Sequence, residues 1–182
     1  KILKLCGKHI KSMSAGYDHC IAVVSNLGKH EIYCWGANAY GQLGLDHMED
    51  MHTPTYAPAL SKAAPHQVEC GGQHTIAVAK RSVWAMGRND FGRLGLSHKL
   101  QTRAEHAGPL VIRFLSDATG PKTTMFAACG ASNSLFVLAN GELLGCGRND
   151  AGQLGLGHLE EVLKPSWILK EEVCPVSPFI FT

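Results

Sequence analysis

The chain has 182 residues, with 17 basic and 15 acidic side chains and a formal net charge of +2. That balance, with no run of Lys or Arg, excludes a strong electrostatic footprint for nucleic acid or a membrane surface, and no apolar run approaches the roughly 18 residues that span a bilayer. Seven cysteines without a Cys-x-x-Cys pair, and no Asn-x-Ser/Thr acceptor, fit a reducing intracellular compartment, cytoplasm or nucleus; an organelle stays open, because the chain begins on Lys1 and any leader would lie upstream.

In chain order, Ile2, Leu3 and Leu5 read as the remnant of a preceding repeat, and Lys1, Lys4, Lys8 and Lys11 as a solvated face. The stretch Ala15-Gly16-Tyr17-Asp18-His19-Cys20-Ile21-Ala22-Val23 then opens a unit that recurs as Cys70-Gly71-Gly72-Gln73-His74-Thr75-Ile76-Ala77-Val78 and as Cys129-Gly130-Ala131-Ser132-Asn133-Ser134-Leu135-Phe136-Val137. A second motif follows each copy: Gly36-Ala37-Asn38-Ala39-Tyr40-Gly41-Gln42-Leu43-Gly44-Leu45-Asp46-His47, then the same pattern at 87–98 and again at 147–158. The intervals from 16 to 71 and from 71 to 130 are 55 and 59 residues. Self-similarity at such a period marks a repeat architecture.

Each repeat reads as short strands separated by turns. In the second, Gln67–Gly71, His74–Ala79 and Ser82–Gly87 are expected strands, with Lys80-Arg81 as a tight connection. In the third, Leu135–Ala139 and Glu142–Cys146 flank Asn140-Gly141, a strong hairpin signal because both residues tolerate positive φ. In the first, a longer connection over Asn26–His30 precedes a strand at Glu31–Gly36. Thr53–Leu60, Leu110–Leu115 and Lys164–Leu169 are the expected outer strands. Ser116–Thr124 is the longest departure from the pattern and is expected to form a surface loop. The apolar Val176–Phe181 is either a docking tail or a further unit cut short.

Gly16, Gly71 and Gly130 recur on one strand end, and Gly36, Gly87 and Gly147 on another; glycine weakens a strand unless another backbone approaches closely. Asn38, Asn89 and Asn149 can bond their own downstream backbone and hold the excursion that contains Gly41, Gly92 and Gly152. The Leu-Gly-Leu that follows returns apolar side chains to the space between repeats. These positions read as structural.

The paired motifs, from about Ile10 to about Leu169, resemble the repeat of the regulator of chromosome condensation family. The resemblance implies an all-β fold of propeller blades: a first over 1–61, a second over 62–115, a third over 116–170, then a tail at 171–182. Members of this family usually close at seven blades, so the chain is expected to be a partial propeller, about three blades of seven, closed by further blades or by a partner chain. The function that follows is a non-catalytic protein-interaction scaffold, with guanine-nucleotide exchange on a small, Ran-type GTPase as the alternative. By motif position Asp18, His19 and His74 could contact such a GTPase, and Arg88 and Arg148 are further candidate contacts. In the best-known member, chromatin binding uses a basic tail and a loop arginine; the near-neutral charge here argues against copying that mode.

No nucleophile elbow, phosphate loop or zinc-protease helix is present, and no cofactor is expected. His47, His98 and His158 recur at one motif position, but in three different repeats, so no metal site is expected from them. His19 and His74 are matched by Asn133, which cannot titrate, so their shared role is a buried polar anchor.

Overall fold

The computed structural model describes residues 5–26, 28–96, 107–116 and 123–169. Ile2, Leu3, His98, most of Ser116–Thr124 and the Val176–Phe181 tail lie outside the described residues.

Three four-stranded antiparallel sheets follow one another along the chain, each with its strands in sequence order. The first holds β1 (His9–Ala15), β2 (His19–Asn26), β3 (Lys29–Gly36) and β4 (Met51–Tyr56). The second holds β5 (Gln67–Cys70), β6 (His74–Ala79), β7 (Ser82–Gly87) and β8 (Leu110–Val111). The third holds β9 (Thr124–Cys129), β10 (Asn133–Leu138), β11 (Leu143–Gly147) and β12 (Val162–Leu169).

The second strand of the middle sheet has a neighbouring sheet on both faces, so its in–out alternation of exposure is lost. Every residue of β6 is buried. Ile21, Val23, Ile32, Leu43, Val68 and Met86 fill the space between the first and second sheets. Ile76, Val78, Val83, Leu94, Phe136 and Leu144 fill the space between the second and third. Each such side chain contributes roughly 1.5–3 kcal/mol by leaving water.

The innermost strands β1, β5 and β9 lie side by side, and glycine is required where they meet. A Cβ on Gly16 would overlap the Gly71 carbonyl and the His19 ring, and one on Gly71 would overlap the His74 ring and come within 2.7 Å of the Gly130 carbonyl oxygen.

Four local features differ from the sequence expectation. The first connection is short: Asn26 pairs directly with Lys29, so β3 begins two residues before Glu31. The Asn140-Gly141 turn is part of a three-residue loop closed by Leu138 N–H donating to the Glu142 carbonyl at 2.9 Å. Only Gly141 takes positive φ there (84°), while the Asn140 side chain accepts from Glu142 N–H at 3.2 Å. The strand expected over Thr53–Leu60 stops at Tyr56, and α1 (Pro58–Ala63) follows, since proline fits the first helical position, where no N–H is needed. Its Ser61 hydroxyl donates to the Ala57 carbonyl at 2.7 Å and accepts from Ile32 N–H at 2.9 Å, pinning α1 to β3. Likewise β8 spans only Leu110–Val111 before the single turn α2 (Arg113–Ser116).

Candidate functional site

One end of the three sheets collects the turns between first and second strands and the loops that leave the third strands. After each strand-ending glycine the chain is tied back to the neighbouring turn: Ala37 N–H donates to the Asp18 carbonyl at 2.7 Å, Arg88 N–H to Gln73 at 2.9 Å and Arg148 N–H to Ser132 at 2.9 Å. Adjacent turns are also bonded across sheets, Tyr17 N–H to the Gly72 carbonyl and Gly72 N–H to the Ala131 carbonyl, both at 3.2 Å.

The motif asparagines hold the loops open in the same way. Asn38 Oδ1 accepts from Leu43 N–H at 3.0 Å and its Nδ2 donates to the His47 carbonyl at 2.7 Å. Asn149 repeats both bonds, to Leu154 N–H at 3.0 Å and the His158 carbonyl at 2.7 Å. Asn89 Oδ1 accepts from Leu94 N–H at 3.1 Å. The recurring histidines serve the same turns: His47 Nδ1 accepts from Glu49 N–H and His158 Nδ1 from Glu160 N–H, each at 3.2 Å. Among the described residues no three of His, Cys, Asp and Glu gather closely enough to hold a metal ion.

Beneath this surface His19 and His74 are buried, 2% and 0% exposed, and each spans a junction between sheets. The Thr75 hydroxyl gives its one hydrogen to the Gln42 carbonyl at 2.9 Å, so His19 Nε2 must donate to Thr75 Oγ1, also at 2.9 Å. At the next junction His74 Nε2 donates to Ser134 Oγ at 2.9 Å, and Ser134 donates to the Arg93 carbonyl at 2.8 Å. Both Nδ1 atoms are left without a partner, so a second proton would sit unbonded in the core. Burial accordingly lowers His19 to about 4, and burial with the Arg93 charge lowers His74 to about 3.

At the surface, arginines of one sheet rest on aromatics of the sheet before. Arg88 lies 5.1 Å from the Tyr40 ring centre, donates to Gln73 Oε1 at 2.9 Å and pairs with Asp90. Arg148 lies 5.6 Å from the Phe91 ring, on which Arg93 also packs at 5.6 Å. Arg148 pairs with Asp150 through Nε at 2.8 Å, and hydrogen bonding from the guanidinium holds the Asp150 carboxyl below its ordinary range. Phe91 itself is in the left-handed region (φ 65°), a strain of the kind stored at functional positions. Beside Arg148, a hollow of about 350 Å³ is lined by Ala131, Ser132, Asn133, Asp150, Ala151 and Gln153.

Of the residues singled out by sequence, Asp18 is exposed, Arg88 half-buried and Arg148 exposed on this end face, whereas the His19 and His74 rings lie inside the junctions. Tyr17, 68% exposed beside Asp18, together with Tyr40 and Phe91, escaped the sequence reading. An aromatic recurring just before Gly41 and Gly92 was the available signal.

Antiparallel four-stranded sheets set side by side, with their first strands innermost, are blades of a partial β-propeller. Matches to the regulator of chromosome condensation (RCC1) repeat cover residues 29–78 and 82–137, and a second form of that repeat covers 10–42 and 127–153. The chain belongs to this family. It is 38% identical over 159 residues to the ultraviolet-B receptor UVR8 of Arabidopsis thaliana, covering 86% of this chain and 33% of the receptor. It is 33% identical over 129 residues to the secretion-regulating guanine nucleotide exchange factor of Bos taurus, covering 70% of this chain and 26% of that protein. The crystal structure of Prp20p from Saccharomyces cerevisiae superposes with a TM-score of 0.74 at 20% identity, covering 91% of this chain and 39% of that one. The chain thus spans a third of the length of the receptor and about a quarter of that of the exchange factor.

Proposed function

We propose that this chain is a protein-interaction segment of a β-propeller and that it engages partners through the end face bearing Tyr17, Asp18, Arg88 and Arg148, without covalent chemistry of its own. The observation that carries this reading is Tyr17, a large aromatic left 68% exposed on the same end face on which Arg88 and Arg148 are fixed over the Tyr40 and Phe91 rings. Aromatic and arginine side chains held in place lose little entropy on binding and dominate interface hot spots. Prp20p, which shares the fold, is described as binding Gsp1p and histones, so a propeller of this type suits protein ligands. The test is capture from native extract with the wild-type protein beside Tyr17→Ser and Arg148→Glu. A protein retained by the wild type and lost with both variants is expected; equal retention would reject this face.

Guanine-nucleotide exchange is the second reading, favoured by the 33% identity to the bovine exchange factor. Exchange needs only tighter binding to the nucleotide-free GTPase than to the loaded one, and a rigid polar face can supply that difference. Faster release of fluorescent GDP from a Ran-type GTPase in the presence of the whole protein is the expected result under this reading. Unchanged release at saturating protein removes it.

A further inference from the structure

We propose that the end of the molecule opposite Tyr17 and Arg148 is a docking surface for an acidic polypeptide segment, held by Lys29, Lys62, Lys80, Arg81 and Arg113. This goes beyond the partner-binding face already described, which lies at the other end of the sheets.

The near-neutral charge of the chain is sorted along the strands. Second and third strands join at this end, where Asn26 pairs with Lys29 and Ala79 with Ser82, so Lys29 and Lys80-Arg81 stand at hairpin tips. Helix α1, pinned by Ser61 to Ile32 near the start of β3, adds Lys62. Helix α2 follows Ile112, whose N–H donates to the Val83 carbonyl at 2.8 Å, and adds Arg113. All five cations are exposed, and among the described residues none of them has an acidic partner. The acids described at this end are withdrawn: Glu31 is taken by Lys8 at 2.6 Å and Asn26 at 2.7 Å, and Glu142 is buried.

The opposite end carries the reverse sign. Asp18, Asp46, Glu49, Asp50 and Glu160 are exposed or partly exposed around its turns, and its Arg88 and Arg148 are bound to Asp90 and Asp150. Hairpin tips accept any polar residue, so backbone geometry does not impose this sorting. Gathering like charges costs repulsion that an incoming opposite charge relieves, and the field of the patch steers its approach.

The chemistry favours carboxylates carried on a protein chain. Arg81 and Arg113 can each grip a carboxylate through two parallel N–H bonds, and the lysines on separate elements supply single ones. Among the described residues the tips and α1 expose no large aromatic or aliphatic side chain, so there is nothing for bases to stack on or for a bilayer to bury. A second copy of this chain is a poorer occupant, because acids it would offer are engaged: Asp50 accepts from Asn38 N–H at 2.8 Å, and Asp90 and Asp150 hold arginines.

The test uses the whole protein and a fluorescein-labelled peptide of glutamate and alanine, read by anisotropy at about 0.15 M salt. Duplex DNA of equal charge and vesicles of phosphatidylcholine with phosphatidylserine are measured beside it. The peptide is expected to bind, and Lys29→Glu with Lys80→Glu and Arg81→Glu to weaken it about tenfold or more. Lys62→Glu with Arg113→Glu, on the helices, should weaken it in the same direction, so the result does not rest on one variant. Lys164→Glu, at an exposed lysine on β12, should weaken it less than about twofold. Denaturation midpoints confirm that each variant is folded. No peptide binding, equal weakening by Lys164→Glu, or tighter binding of DNA or vesicles than of peptide would overturn the proposal. So would a wild-type oligomer that the hairpin-tip variant dissociates, since the occupant would then be a second copy.

Discussion

The junction between the first two sheets and the junction between the last two share one polar relay but clamp their innermost strands differently. At the first, the Ser14 hydroxyl accepts from Cys70 N–H at 3.0 Å. At the second, the Gln67 side chain bonds both backbone groups of Ala127, each at 2.9 Å. The loops differ too. Gln42 caps its own loop by accepting from Tyr40 N–H at 2.9 Å, and Gln153 does the same for Ala151. Arg93 has no acceptor, so it donates to the Asp90 carbonyl at 3.0 Å and across the junction to Ala131 at 3.2 Å. What the repeat preserves is the approach of backbones and the hydroxyl step between them; side chains around that frame exchange tasks.

The sharpest way to break this frame is at a glycine common to both junctions. Gly71→Ala should cost on the order of 4 kcal/mol or prevent folding, since the new methyl meets a ring and a backbone carbonyl. Gly152→Ala, with φ +71° and only an ordinary van der Waals contact to Leu159 at 3.6 Å, should cost only about 1–2 kcal/mol from backbone conformation. Denaturant titration of both variants checks the contrast.

The relay should next make both junctions acid-sensitive. His19 and His74 have folded values of about 4 and about 3, below the ordinary 6.5. The unfolded chain therefore binds protons first, and stability present above pH 6.5 falls as the pH drops through 4 and 3. Each histidine should contribute a slope of about 1.4 kcal/mol per pH unit over its window, reaching about 3 kcal/mol for His19 and about 5 kcal/mol for His74. Chemical denaturation between pH 7 and 5, ahead of most carboxylate titration, measures it. His74→Asn, which copies Asn133, should remove half of the slope; an unchanged slope would show that the rings are not the sensors.

The clamps offer a smaller, graded test. Gln67→Ala should destabilise by about 2 kcal/mol, because it strands two backbone groups, and Ser14→Ala by about 1 kcal/mol. Equal losses would erase the distinction between the junctions. Smallest of all, a cycle of Phe91→Ala with Arg93→Gln should give a coupling of about 0.5–1 kcal/mol from the ring and guanidinium.

Much of this was legible locally. The β5, β6 and β7 strands are bounded by glycines and breakers, and tight turns put their pairing within reach of a short window. Proline at 58, suited to the first turn of a helix, was the local sign of α1 inside the strand expected over Thr53–Leu60. The hydroxyls of Thr75 and Ser134 stood one residue beyond anchors already recognised, and became visible only once His19 and His74 were seen to point across a junction. The Gln67 clamp joins residues 60 apart and the Arg88–Tyr40 contact residues 48 apart. No periodicity encodes such pairs; they exist only after adjacent sheets have stacked.

The buried thiols give these junctions their own clocks. Burial drives Cys34, Cys70 and Cys146 up to about 12, so at neutral pH about one in 10⁵ is the reactive thiolate even where a reagent can reach it. Alkylation must wait for the sheets to part. Cys34 and Cys70 lie in the core between the first two sheets and Cys146 in the core between the last two, so the native protein already carries a separate opening timer in each seam, readable by alkylation and mass spectrometry without an engineered cysteine.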